Sequence, residues 1–244
     1  MFNQAKLVSV FLFIIFWQLL SIVIDSSVFP SVIDILNNLA INIGDGELFE
    51  HLSITLQRVF IAFFITMILG IAIGILMGVY KGIDDFFDFL LILGLNIPAL
   101  VTIVVCYIWF GLTDTAALLA VIINKIPIVV VNIREGTKAI NRDYLDLARV
   151  YKVSKKETFS KVFLPQIYPY IMASTRLTLS LVWKIVLVVE LLGRSDGIGF
   201  KISMFFHFFD ITSIFAYSLA FILVILLIEH YILKPIEIKI GAWK

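Results

Sequence analysis

The chain alternates long apolar runs with short polar connections, and this pattern constrains it more than any other feature. The runs lie near residues 7–24, 52–79, 86–110, 115–133, 170–192 and 212–233. A hydrocarbon core takes about 20 mostly apolar residues to cross as a helix. A lone strand would leave its N–H and C=O groups unpaired in lipid, so each run is read as a helix. Hydrophobic residues make up 61% of the chain and charged ones only 15%, where a soluble domain has about a quarter charged. The expected fold is therefore all-α: a polytopic membrane helical bundle of about six transmembrane helices, with residues 1–244 forming a single transmembrane domain. The first run, 7–24, follows Lys6 and ends in Ile24-Asp25-Ser26-Ser27. That ending is no small-x-small cleavage site, so the run is expected to stay as a helix.

Charge sets the orientation. With the N-terminus in the cytoplasm, the inside segments carry Lys6, Lys81, Arg134, Lys138, Arg142, Arg149, Lys152, Lys155, Lys156, Lys161, Lys234, Lys239 and Lys244. The outside segments carry only Arg194 and Lys201, and the long first loop has Asp25, Asp34, Asp45, Glu47 and Glu50 with no Lys or Arg. This is the positive-inside pattern, and it places both termini in the cytoplasm. The net charge of +1 gives no global field for nucleic acid. Cys106 stands alone, and His51, His207 and His230 match no metal-ligand spacing, so no metal site is expected.

Within the runs, Gly70, Gly74 and Gly78 recur every four residues, on one helix face where another backbone can come close. The third run is expected to break at Asn96-Ile97-Pro98 and the fourth at Pro127, because proline removes an amide donor and kinks a helix. Broken helices at membrane depth line cavities in some bundles and are packing kinks in others; both readings stand at this point.

The polar segment 134–166 is the longest on the cytoplasmic side. Tyr144, Leu147, Ala148 and Tyr151 fall at helical spacing on one face. Ser154, three residues before Glu157, is the signature of a helix N-terminus. The second short helix is expected to stop at Leu164-Pro165. Such a loop is either an amphipathic hairpin on an anionic leaflet or a docking element for a cytoplasmic partner.

The residues favour the second reading through a resemblance. Asp146-Leu147-Ala148, Lys152 and Val162-Phe163-Leu164-Pro165 resemble the EAA loop of bacterial ABC importer permeases. Asn96-Ile97-Pro98, Trp109-Phe110-Gly111, Pro127-Ile128, Glu190 and Gly197-Ile198-Gly199 resemble, in order and spacing, the nitrate/sulfonate/taurine branch of that family. The likeness covers roughly 50–235, which would be the permease core, with a coupling loop at 134–166. Three positions depart from the pattern: Lys152 replaces the usual glycine of the turn, Leu147 a small alanine, and Val104 a second proline.

The resemblance implies a type I ABC importer permease. Two copies, a homodimer in this branch, would form the translocation pathway. A cytoplasmic ABC ATPase would bind the loop at Asp146, Leu147, Ala148, Arg149, Lys152, Leu164 and Pro165, and an extracytoplasmic binding protein would deliver the solute. It also implies a plasma (inner) membrane location and a small anionic solute such as a sulfonate, taurine, nitrate or a related nutrient. The chain has no G-x-x-x-x-G-K-[ST] phosphate loop, so ATP and magnesium are expected on the partner and no cofactor on this chain.

Ionisable groups inside the runs need a partner, a wet cavity or a route to the interface. Arg58 and Arg176 are near helix ends and are expected to snorkel. Lys125 and Lys184 are expected either to pair with Glu190 or with carbonyls freed at Pro127, or to line an anion pathway together with Asn96, Pro98, Pro127 and Glu190. Ser195 to Gly199 reads as a turn, and Phe205, Phe206, Phe208 and Phe209 as an interfacial belt or a short surface helix. An ion-coupled secondary transporter would share the broken helices but needs no two-helix loop. For a membrane enzyme the sequence shows no metal-ligand cluster, no nucleophile elbow and no catalytic pair of carboxylates.

Overall fold

A computed structural model describes residues 4–235; Lys239 and Lys244, counted above as cytoplasmic charges, lie outside them. The described residues are helical almost throughout. In chain order the helices are α1 (Gln4–Ile24), α2 (Val32–Gly44), α3 (Glu47–Val79), α4 (Lys81–Asn96), α5 (Ala99–Phe110), α6 (Asp114–Lys138), α7 (Arg142–Val150), α8 (Lys155–Thr158), α9 (Leu164–Gly193), α10 (Ile198–His207) and α11 (Ile211–Ile228). A π-helical turn, Phe159–Phe163, joins α8 to α9, and another, Glu229–Leu233, follows α11.

Three helical stretches are long and apolar enough to cross a membrane singly: α3, α6 and Ile211–Tyr231. The pair α4 and α5 passes the same test jointly but is bent by 97° at Ile97-Pro98. The shorter apolar α1 and the 30-residue α9, which carries Arg176, Lys184 and Glu190, complete the expected set of about six.

The core is built on α3, α6 and α9. Val59, Ala62, Ala120, Ile133, Val182 and Val186 from these three helices are almost fully buried against one another. The four-residue glycine row makes the α3–α6 approach possible. A Cβ on Gly70 would stand 2.6 Å from Val129 and one on Gly74 2.7 Å from Ile133, while one on Gly78 would overlap Thr137. The two helices thus interlock at matching four-residue steps, the close backbone contact that small residues permit in lipid. A second cluster joins α2, the start of α3, α10 and α11 through Leu39, Leu52, Ile198, Tyr217 and Phe221. Helix α1 lies outside both, fastened by Trp17, whose indole donates to Pro30 O (3.0 Å) and stacks on Phe29.

Two expectations about proline are corrected. Helix α6 is continuous from Asp114 to Lys138 with Pro127 inside it. Pro127 is buried and fits against Gly94 of α4, where a Cβ would come within 2.9 Å of its ring. Packing from a neighbouring helix holds the helix together across the missing donor. Pro165 likewise does not stop a helix. It sits in the first turn of α9, a position where proline's fixed φ is accommodated. Just before it the pairing has shifted to π, with Leu164 N–H donating to Phe159 O.

Candidate functional site

The loop between α6 and α9 is two short capped helices built largely by local rules. Asn141 caps α7, its Oδ1 accepting from Asp143 N–H (2.9 Å), and its own N–H donates to Gln166 Oε1 (2.9 Å), which ties the start of α7 to the start of α9. Helix α7 ends in a Schellman turn: Lys152 N–H donates to Arg149 O (3.0 Å) and Val153 N–H to Ala148 O (2.9 Å). The left-handed residue of that turn is Lys152, at φ +54°. Lysine therefore makes the turn where glycine would be the easy residue, and the geometry survives the departure. Ser154 caps α8, accepting from Glu157 N–H (3.2 Å) and donating to Glu157 Oε2 (3.0 Å). Lys161 Nζ, 3.1 Å from Glu157 Oε1, together with Ser154, holds the Glu157 carboxyl below its ordinary value.

Helix α7 sits on this base chiefly through Ala148, with Leu145 half-buried beside it. Ala148 is 6% exposed and faces inward, whereas Tyr144, Leu147 and Tyr151 are more than half exposed. Asp146 and Arg149 pair at 3.3 Å on the outer side, both open to solvent. Of the expected docking residues, Ala148 is thus a seat for the helix and Leu147, Asp146 and Arg149 are its outward groups. A groove of about 420 Å³ runs beside α7, walled by Tyr144, Leu147 and Tyr151 on one side and Val162 and Pro165 on the other. At the same end of the bundle, Arg134 of α6 binds Asp88 (2.6 Å) and Asp84 (3.2 Å), and Lys138 binds Asp84 (2.6 Å), fastening α4 to α6.

The opposite end of α9 carries a buried polar node. Arg58 is 5% exposed and Glu190 is fully buried. Arg58 Nη1 lies 2.8 Å from Glu190 Oε1, and Nη2 lies 2.6 Å from Asp114 Oδ1 and also contacts Asp196 Oδ1. Glu190 Oε2 accepts from Thr55 Oγ1 and from Gly199 N–H, both at 2.9 Å. Arg194 adds a second cation, 3.1 Å from Asp114 Oδ2. Arg58 therefore does not snorkel. Glu190 of α9 meets its charge inside the bundle, and the more exposed Asp114 of α6 and Asp196 of the α9–α10 turn meet it from the rim, so the buried ion is not left unpaired.

Of the remaining expected pathway residues, Asn96, Pro98 and Pro127 lie around the α4–α5 break. Asn96 and Pro98 are exposed there, and Asn96 donates to Ile92 O (2.8 Å). Pro127 meets Gly94 just before the break. Lys125, half-buried, has no carboxylate within ion-pair distance among the described residues, and Lys184 is exposed with its ammonium 5.4 Å from the Trp183 ring centre. Glu190 is engaged by Arg58, so the expected Lys–Glu190 pairing does not form.

Residues 70–230 match the family described as binding-protein-dependent transport system inner membrane component. The chain belongs to this family of importer permeases. Among its relatives is SsuC of Escherichia coli (strain K12), named provisionally as an aliphatic sulfonates transport permease protein, 33% identical over 75% of this chain and 71% of that one. Another is the nitrate import permease protein NrtB of Synechococcus elongatus, 26% identical over 78% of this chain and 72% of that one. A chain of the MetNI methionine ABC transporter, solved in inward-facing conformations, superposes with a TM-score of 0.61 at 17% identity, covering 77% of this chain and 92% of that one. That likeness establishes the fold of the permease. The permease is thus the membrane component of an ABC importer, whose ATP hydrolysis belongs to a separate subunit.

Sequence reading placed Glu190 in the permease but missed the node around it: Arg58, Asp114, Asp196, Thr55 and His51. A signal was present. Arg58, Asp114, Glu190 and Asp196 all map to the same side of the membrane once the spans are drawn, and two of them stand inside apolar runs.

Proposed function

We propose that the permease acts as a pair of identical copies, with α7 docking into a cytoplasmic ABC ATPase and the solute handed over by a binding protein on the other side. Both termini then lie in the cytoplasm, and ATP with its magnesium is held by the partner. The observation that carries the docking role is α7 itself. It is a capped, Schellman-closed helix whose Tyr144, Leu147 and Tyr151 are each more than half exposed. An amphipathic helix presented in this way fits a partner's groove. Asp146 and Arg149 flank it as charged contacts, Lys152 sets its end, and Leu164 and Pro165 lead the chain back into the bundle. ATP binding would close the partner dimer and shift the permease between inward- and outward-facing states.

The solute is a small oxyanion: a sulfonate, taurine, nitrate or bicarbonate. The names of the relatives support this class, bicarbonate among them. Asn96, Pro98 and Pro127 at the helix break are the candidate pathway lining, and Lys125 and Lys184 supply positive charge at mid-span.

The test is Leu147→Asp, which changes an exposed position and leaves the Ala148 seat intact. The ATPase should no longer copurify with the permease, and uptake of whichever of these four solutes, used as probe anions, the wild type carries should cease while the permease still inserts. Retention of the ATPase and of uptake would show that α7 is not the docking element.

A further inference from the structure

The buried node is more than a resting place for Arg58, because it also closes the start of α10. The first amide groups of a helix have no intrahelical acceptor. Here each of three successive ones is met by a side chain from another element. Gly197 N–H donates to His51 Nδ1 (3.0 Å), Ile198 N–H to Thr55 Oγ1 (2.8 Å) and Gly199 N–H to Glu190 Oε2 (2.9 Å). The fit leaves no spare space. A Cβ on Gly197, at φ +98°, would overlap the Glu190 carboxylate, and one on Gly199 would overlap Leu187 O. Arg58 also donates to Asp196 O (3.1 Å), gripping the turn from its other side. Farther along α10, Lys201 reaches Glu47 at the start of α3 (2.7 Å). Beyond these ties, α10 ends in the exposed residues Phe206, His207, Phe208 and Phe209.

We propose that Arg58 and Glu190 are positioning residues for solute delivery: they clamp α10 and the 195–199 turn to α3, so that this surface moves as one body with the α3–α6–α9 core during transport. The functional half of this proposal rests on the importer reading; the clamp itself does not. The surface in question lies at the end of the bundle opposite α7, the side on which the binding protein would dock. A clamped α10 transmits the docking event to the core helices, whereas a loose one absorbs it. The glycines, the Thr55 hydroxyl and the carboxylate are shaped for one another, and they do not serve as an open pathway lining.

The experiment uses the full permease copurified with its ATPase. Glu190→Gln keeps the size of the side chain but removes its charge and sets an amide donor against either Arg58 or Gly199 N–H; Thr55→Val is the milder second variant, removing the hydroxyl's bonds to Ile198 N–H and Glu190 Oε2 while leaving both charges in place. Hydrogen exchange by mass spectrometry reads peptide 195–207 against peptide 116–133 of α6. In Glu190→Gln the first peptide should exchange on the order of tenfold faster with the second unchanged, and Thr55→Val should give a smaller change of the same kind. Basal ATPase activity should stay within about twofold, while uptake of whichever probe anion the wild type carries falls about tenfold or more, a loss of coupling rather than of assembly. Unchanged exchange at 195–207 in both variants overturns the clamp. Equal acceleration in both peptides, or basal ATPase falling in step with uptake, shows a role in folding alone and overturns the positioning role. A wild type that carries none of the four anions refutes the solute class, and the exchange result still decides the clamp.

Discussion

The two ends of the permease are held by opposite means. In the α7–α8 loop, structure is mostly local: caps at Asn141 and Ser154, a Schellman turn at Lys152 and i to i+3 or i+4 ion pairs in water. At the α10 end, contacts come from residues 56, 132 and 138 positions apart; the Arg58–Glu190 pair is buried and the contacts to Asp114 and Asp196 are partly so. An exposed pair contributes little to stability, with a median of about 0–1 kcal/mol, because water and salt screen it. A buried ion is costly to leave alone, so removing its partner is felt strongly. The α7 end is therefore suited to meet a partner without the fold depending on it. The α10 end is bound into the core and can pass force to it.

The largest expected effect comes from removing the cation of the node. Arg58→Met should destabilise the permease by about 3–5 kcal/mol, the usual result of stranding a buried charge. Thermal melting in detergent reads this loss, and the double variant Arg58→Met/Glu190→Met should recover a substantial part of it. If the single and double variants melt alike, the two residues do not act as a pair and the contrast between the ends fails.

A smaller effect of opposite sign is expected at the other end. Lys152→Gly puts the freely left-handed residue into the Schellman turn and should stabilise the loop by about 1 kcal/mol, seen as slower hydrogen exchange across 148–153. Faster exchange would mean that the lysine stem holds the turn by packing.

The smallest effect is a pH dependence confined to α8. The carboxyl of Glu157 is held below its ordinary value by Lys161 and Ser154. A lowered folded-state value means that this support is present above the unfolded value and is lost as pH falls through the folded one. Protection of the α8 amides, taken relative to their intrinsic exchange rates at each pH, should therefore fall on acidification below the normal carboxylate range, and it should also fall with salt at neutral pH, since the pair is exposed. The node at Arg58 should show no comparable salt effect.

How much of this was legible in the sequence follows the same division. The apolar runs gave the spans because lipid leaves the backbone no alternative to a helix. Ser154 with Glu157, the helical face of α7 and the glycine row from 70 to 78 were readable because each is a relation among residues within a few positions of one another. Pro127 and Pro165 were misjudged by local rules, since Gly94 packs against the first and a π turn prepares the second. Ala148 looked like part of an exposed face, and only the base beneath α7 decides that it points inward. The sequence by itself determined a helical membrane bundle, its spans and a capped loop. Only the tertiary structure decided where Arg58 points and what Glu190 holds, because a buried charge is settled by partners that the chain brings from distant helices.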